Sequence, residues 1–260
     1  MFKRLIVCFI LGIIIVGSPV YSQAQNIHIT SFSKSKKILQ NDIYSDYFKT
    51  VYCASTYHPK SKKILTYPLF FDRTIMQNRS DRIEYEHIVP AENFGGILPE
   101  WKNGHSSCQT KGKPYKGRRC AEKTNRLFKL MQADMYNLYP AIGSVNGVRS
   151  NKQFVQLPRF VPSSFGTCHF KISDNLAEPP NRAKGIVART YLYFDEVYFP
   201  HFKLNHEQTA LMIDWHIKYP VTQWECIRTY RIEQIQKSEN LITKQACQQA
   251  NLWPIKNNKH

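Results

Sequence analysis

Apolar residues recur at helical spacing in the second half of the chain. Leu211, Met212 and Trp215 share one face of a stretch from Glu207 to Tyr219, which ends before Pro220. Thr222-Gln223-Trp224-Glu225 reads as a capping box and predicts a further helix to about Lys237. Leu127, Leu130, Met131 and Leu138 fit a third helical face that stops before Pro140. Nearer the start, the mixed run from Ile27 to about Tyr52 suits a helix docked on the body. Arg82 to Val89 alternates in part and predicts a strand. Residues 57–80 place lysines and turn residues around a short apolar piece, Leu65 to Phe71. Residues 99–120 are rich in Gly, Lys and Ser and predict a long loop; inside a compact domain such a loop is usually functional. No internal repeat or low-complexity linker divides the chain. The pattern therefore predicts a mixed α and β fold, dominated by helix.

Composition narrows the class. With 42% hydrophobic and 13% aromatic residues in 260, the chain is not of disordered composition and can bury a sizeable core. Lys3 and Arg4 precede an apolar run, Leu5 to Gly17, that is short for a membrane span, and small residues follow. Residues 1–24 thus read as a secretory signal peptide, cleaved after Ser22 or Ala24, with residues 25–260 as one domain. Six cysteines follow the signal: Cys53, Cys108, Cys120, Cys168, Cys226 and Cys247. An even number in an exported chain predicts up to three disulfides, whose pairing the sequence alone leaves open. No CxxC occurs, which argues against a cysteine zinc site. The net charge is +17, spread along the chain, and such a field attracts polyanions, chiefly nucleic acid or an anionic membrane surface.

Three stretches carry candidate chemistry. In "RIEYEHIVPAENFGG", residues 82–96, Glu86 could hold a hard divalent cation and His87 could take a proton from water. On a regular strand these neighbours point to opposite faces, so one site can use both only at a strand end, which Pro90 makes plausible. An exposed glutamate beside a satisfied histidine is the plainer alternative. "DMYNLYPAIGSVNGVRSN", residues 134–151, holds Asn137, Asn146 and Asn151, each able to serve a turn or to lend an amide oxygen to a metal. "TKGKPYKGRRC", residues 110–120, gathers Lys111, Lys113, Lys116, Arg118 and Arg119 around one tyrosine: a solvated basic loop, or a source of a guanidinium for a phosphate.

"EYEHIVPAENFG", "DMYNLYPAIGSVNGVRSN", "RAKGIVARTYLYF" and "YPVTQWECIRTYRIEQIQ" occur in this order over most of the chain after residue 24. Together they resemble the endonuclease I family of periplasmic and secreted bacterial nucleases. The resemblance implies an α+β fold: a ββα-metal nuclease core, two strands and a helix around one Mg²⁺, embedded in a mainly helical single domain. It implies hydrolysis of phosphodiesters in DNA, and in RNA too, with little sequence preference and 5′-phosphate products. By motif position it makes Glu86 and Asn146 the metal ligands and His87 the general base. It places a catalytic arginine before Cys120; Arg118 directly follows a glycine, as the family's arginine does, and is preferred to Arg119. Arg119 and Lys116 remain candidate phosphate contacts. Mg²⁺ is the expected cofactor, with Mn²⁺ or Ca²⁺ as substitutes. Nucleic acid is the expected partner of a monomer with no stable protein partner, located in the periplasm or outside the cell.

The chain departs from the family pattern in places. Tyr85 stands where tryptophan is common, and Gln132, Ser144 and Val148 replace acids. Two cysteines are lacking, near Thr56 and Phe71. Those two would pair with each other, so the remaining six can still form three bonds; Cys226–Cys247 and Cys108–Cys120 are the expected pairs, leaving Cys53 with Cys168. A catalytically impaired, basic nucleic-acid-binding protein of the same fold is the alternative function. The set of Glu86, His87 and Asn146, which a pure binder has no need to keep, favours the enzyme.

Overall fold

A computed structural model describes residues 25–254; the expected signal peptide, residues 1–24, lies outside the described residues. The chain begins with α1 (Phe32–Ile38), which runs into a wider π turn at Leu39–Ile43. Then come α2 (Gln77–Ser80), β1 (Ile83–His87), α3 (Ala91–Gly95), α4 (Pro99–Lys102) and the hairpin strands β2 (Gln109–Thr110) and β3 (Lys113–Pro114). The middle holds α5 (Arg118–Thr124), α6 (Arg126–Ala133), β4 (Leu138–Ile142), α7 (Gly143–Arg149), β5 (Gln153–Phe154), β6 (Lys171–Ser173) and β7 (Leu176–Glu178). The chain closes with α8 (Asn181–Val197), α9 (His206–Lys218), α10 (Gln223–Gln236) and α11 (Leu241–Gln249). The fold is mixed and helix-dominated, as the hydrophobic pattern predicts.

Strands β1 and β4 pair antiparallel, with Glu86 opposite Tyr139 and His87 opposite Leu138. Helix α7 follows β4 without a linker. Here the structure corrects the expected helix through Leu138. That helix ends as α6 at Ala133, and Leu138 opens a strand. The cause is Asp134, whose buried carboxylate accepts from the Tyr136 amide at 3.0 Å and so starts a new turn. It also accepts from the hydroxyls of Tyr193 at 2.8 Å and Tyr198 at 2.6 Å. All five residues of β4 are buried, so no polar alternation marks it as a strand. Pro140 is tolerated because the sheet has only two strands, and its carbonyl accepts from the Val51 amide at 2.8 Å.

The C-terminal helices follow the sequence more closely. Met212 and Trp215 are the buried residues of α9, which starts at a reciprocal capping box of Asn205 and Gln208. At α10 only half of the expected box exists. The Thr222 hydroxyl accepts from the Glu225 amide at 3.2 Å, but the Glu225 carboxylate turns inward to Arg189, with contacts of 2.7 and 2.8 Å. The longest helix among the described residues, α8, is buried nearly all round from Ala183 to Phe194. The expected loop of residues 99–120 also differs. It contains α4 and the β2–β3 hairpin, and it passes into α5 at Arg118. Three disulfides join Cys53 to Cys168, Cys108 to Cys120 and Cys226 to Cys247. Among the described residues no helix is long and apolar enough to cross a membrane.

Candidate active site

β1 ends at His87, and the irregular exit of the chain there decides what faces the main cavity. The buried Arg149 at the end of α7 takes up the exit carbonyls. Its Nη1 donates to the His87 carbonyl at 2.8 Å and its Nη2 to the Ile88 carbonyl at 2.6 Å. Asn137 holds the next residue through both ends of its amide, accepting from the Val89 amide at 2.7 Å and donating to the Val89 carbonyl at 2.9 Å. With the backbone satisfied in this way, Glu86 and His87 both line one cavity of about 780 Å³. Asn137 is therefore a structural asparagine, whereas Asn146 and Asn151 line the cavity.

Glu86 is almost fully buried. Its Oε1 accepts from the Tyr52 hydroxyl at 2.9 Å and from Arg149 Nη1 at 2.8 Å. Both bonds fall on one oxygen, which leaves Oε2 for another partner. Burial pushes the Glu86 carboxyl up to about 7, against the opposing pull of Arg149 and Tyr52. A carboxylate so desolvated gains from a cation brought beside it.

His87 is held by the opposite kind of contact. Its Nε2 lies 2.9 Å from the Gln132 carbonyl oxygen, which can only accept. Nε2 therefore carries the proton and Nδ1 keeps its lone pair. Burial, with help from the nearby Arg118 charge, pushes the imidazole down to about 3, so it is neutral throughout the physiological range. The ring packs on Phe32 at 4.8 Å between centroids, and Phe94 lies at 6.4 Å. Phe32 comes from α1, which explains why the N-terminal helix docks here.

The other site candidates separate in space. Asn146 sits in α7 and donates through Nδ2 to Glu84 at 3.0 Å. Arg118 lines the cavity, its guanidinium carbon 5.4 Å from the Phe32 ring centre. Arg119 turns away: its Nη2 donates to the Thr110 hydroxyl at 3.1 Å and it lies over Tyr115 at 4.4 Å. Lys116 lines a separate, smaller pocket with His105 and Tyr115. The cavity thus gathers Glu86, His87, Asn146 and Arg118, and leaves Arg119 and Lys116 outside. Lys36, Lys62, Arg79 and Arg82 add positive charge to its wall.

Sequence reading overlooked two contributors, Tyr52 and Arg149, and gave Glu84 no role. Arg149 lies in the quoted "VNGVRSN", three residues after Asn146, but its burial is not visible in the sequence. Tyr52 carried no signal, because its partner is 34 residues away.

Among the described residues no group of three or more His, Cys, Asp and Glu side chains is arranged to hold a metal. The oxygen donors on the cavity wall are instead carboxylates and amides: Glu86, whose Oε2 is not engaged by Tyr52 or Arg149, Glu92, and the amides of Asn146 and Asn151. Such a set suits a hard cation that keeps most of its water, as Mg²⁺ does, better than zinc or copper. The cavity therefore offers hard oxygen donors, a neutral imidazole with a free nitrogen, and a guanidinium, in a strongly basic wall. That is the equipment of a hydrolase acting on a phosphate-bearing polyanion.

The chain belongs to the endonuclease I family: the family model described as Endonuclease I matches residues 21–247. It is 36% identical over 248 residues to Endonuclease-1 of Buchnera aphidicola subsp. Baizongia pistaciae, covering 92% of this chain and 94% of that protein. It is 33% identical over 227 residues to an extracellular deoxyribonuclease of Aeromonas hydrophila, covering 85% and 92%. A periplasmic deoxyribonuclease of the same organism is 36% identical over 174 residues, or 66% and 67% of the two chains.

Proposed function

We propose that the protein is an exported, Mg²⁺-dependent endonuclease that hydrolyses phosphodiester bonds of DNA, and of RNA too, without sequence preference. Membership of the endonuclease I family and the deoxyribonuclease names of its relatives support the nuclease class. The locations in those names, with three disulfides, support export to the periplasm or beyond. The β1–β4 pair followed by α7 is read as the ββα-metal unit.

One observation carries the reading. Glu86, His87, Asn146 and Arg118 line a single cavity, with the histidine proton pinned on Nε2 by the Gln132 carbonyl. In this reading Glu86 Oε2 and Asn146 Oδ1 hold Mg²⁺. When bound, the metal supplies positive charge to the scissile phosphate and its leaving oxygen. His87 Nδ1 takes the proton of the attacking water; the Gln132 carbonyl steadies the imidazolium that results, through the Nε2 proton. Arg118 offsets the charge gathering on the phosphate oxygens. Phe32 and Phe94 keep the imidazole dry and unprotonated until it acts. Contacts to phosphate rather than to base edges account for the absence of sequence preference. The products carry 5′-phosphates. Lys36, Lys62, Arg79 and Arg82 extend the phosphate-binding wall, and the protein acts as a monomer.

The test is nicking of supercoiled plasmid, and cleavage of RNA in parallel, with Mg²⁺ and then with EDTA. Cleavage that requires the metal supports the enzyme. Tight binding without cleavage under any divalent metal would instead establish a nucleic-acid-binding protein.

A further inference from the structure

Glu84 is the second carboxylate of "EYEH", and the mechanism above gives it no task. Two residues before Glu86 on β1, it lines the same cavity and is only partly exposed. Its position suggests a second metal ligand, but its oxygens are already taken. Arg79 Nε donates to Oε1 at 3.0 Å, and Arg79 Nη2 makes a second, short contact with Oε2. Arg82 approaches Oε1 at 3.5 Å. Asn146 Nδ2 donates to Oε2 at 3.0 Å. A cation would have to displace a two-pronged guanidinium to reach either oxygen.

We infer that Glu84 is a positioning residue: it fixes which end of the Asn146 amide faces the cavity, and Arg79 holds it in that role. This rests on the proposed reading of Asn146 as a metal ligand. An amide has a donating and an accepting end, of similar size, and only its partners decide which way it turns. The Glu84 carboxylate accepts from Arg79 and Arg82 as well as from Asn146. The Asn146 nitrogen therefore stays on the Glu84 side, and Oδ1 is the end left for a cation. Without Glu84 the amide could turn its NH₂ toward the metal position, where it would repel rather than bind.

Two glycines show that room has been made for this arrangement. A Cβ on Gly147 would lie 2.4 Å from Arg79 Nη1 and 2.4 Å from Met76 Sδ. A Cβ on Gly143 would lie 2.4 Å from the Arg79 carbonyl and 3.1 Å from Glu84 Oε1. Gly143 lets α7 close on the Arg79 backbone, whereas at Gly147 a Cβ would meet only the mobile ends of the Arg79 and Met76 side chains.

The experiment is a double-mutant cycle on the mature protein, read by Mn²⁺ titration with electron paramagnetic resonance in the absence of nucleic acid. Glu84→Leu is expected to raise the Mn²⁺ dissociation constant roughly 10- to 100-fold, the range found when an outer partner of a metal ligand is removed. In an Asn146→Ala background the same change is expected to have no further effect, because Glu84 acts through that amide. Near-ultraviolet circular dichroism checks the fold of each variant. Plasmid nicking by Glu84→Leu is expected to recover toward the parent rate at saturating Mg²⁺, which a structural defect would not do. Should Glu84→Leu not fold, Arg79→Met and Glu84→Gln keep the test, each with a smaller shift in the same direction. An unchanged Mn²⁺ affinity for Glu84→Leu, while Asn146→Ala weakens binding, overturns the positioning role alone. An equal loss in both backgrounds also overturns it. If Asn146→Ala leaves Mn²⁺ affinity unchanged, the ligand reading falls and takes this inference with it.

Discussion

Two parts of the cavity wall are built in different ways. The end of β1 is fixed from inside the protein: Tyr52, Arg149 and the Gln132 carbonyl reach Glu86 and His87 through buried hydrogen bonds. The segment that leads to Arg118 is fixed differently: α5 is anchored by the buried Cys120 and Ala121, but the hairpin before it is not. The residues of its β2–β3 hairpin are all exposed, and few bonds cross from it to the body. It hangs on the Cys108–Cys120 disulfide and on the Gly117 amide, which donates to the Trp101 carbonyl at 3.0 Å. The half that holds the buried Glu86 carboxylate and the His87 imidazole is thus held by the core. The half that carries Arg118 is held by a covalent staple, the fully buried Cys108–Cys120 disulfide, which ties the exposed hairpin to α5. The exposed hairpin has few buried contacts of its own, so its order depends on the disulfide and therefore on oxidising conditions.

The comparison can be broken most severely at Arg149. Arg149→Leu leaves the Glu86 carboxylate buried without its charge partner and two carbonyls of the β1 exit without donors. The expected cost is about 3–5 kcal/mol, a large share of a typical domain's stability. Chemical denaturation should show a much lower midpoint together with lost nuclease activity. An unchanged midpoint would mean that the β1 end is not held from within.

At the loop the expected damage is functional before it is global. Replacing Cys108 and Cys120 together by serine removes a staple between residues 12 apart, worth at most about 3 kcal/mol in the chain-entropy model. Nicking should fall to the level of Arg118→Ala while His87 and Glu86 stay in place, as seen by retained Mn²⁺ binding. Full activity of the serine variant would show that the loop needs no staple.

Within that loop the two arginines should differ. Arg118→Ala is expected to lower turnover roughly 10²-fold, as for loss of one donor to a developing charge. Arg119→Ala removes only an exposed contact with Thr110 and Tyr115 and should change turnover by less than about threefold. Equal effects would erase the distinction between them. The smallest change is a control far from both regions: Thr222→Ala removes the N-cap of α10 and should cost about 1 kcal/mol of stability with no change in metal requirement.

How much of this was legible in the sequence follows the same division between local and distant contacts. Met212 and Trp215 mark α9, and Thr222 marks the start of α10, because those signals lie within a turn or two of what they specify. Pro90 correctly suggested an irregular strand end at Glu86 and His87. The boundary between α6 and β4 was misread because Leu138 continues a helical period while Asp134 breaks the helix through partners about 60 and 100 residues on. The support of Glu86 escaped notice for the same reason: Arg149 is 63 positions away and Tyr52 is 34. Glu84 was visible as a carboxylate, but its task depends on an amide 62 residues later.

The central claim is that a neutral His87, its proton pinned on Nε2, is the base of a metal-dependent phosphodiesterase. The most direct measurement compares parent and His87→Ala on one supercoiled plasmid, with binding and single-turnover cleavage measured in the same buffer, with Mg²⁺ and with EDTA. The account predicts equal binding, cleavage by the parent only with Mg²⁺, and cleavage by His87→Ala slower by roughly 10²-fold or more. Equal cleavage rates for the two proteins, or parent cleavage that persists in EDTA, would contradict it.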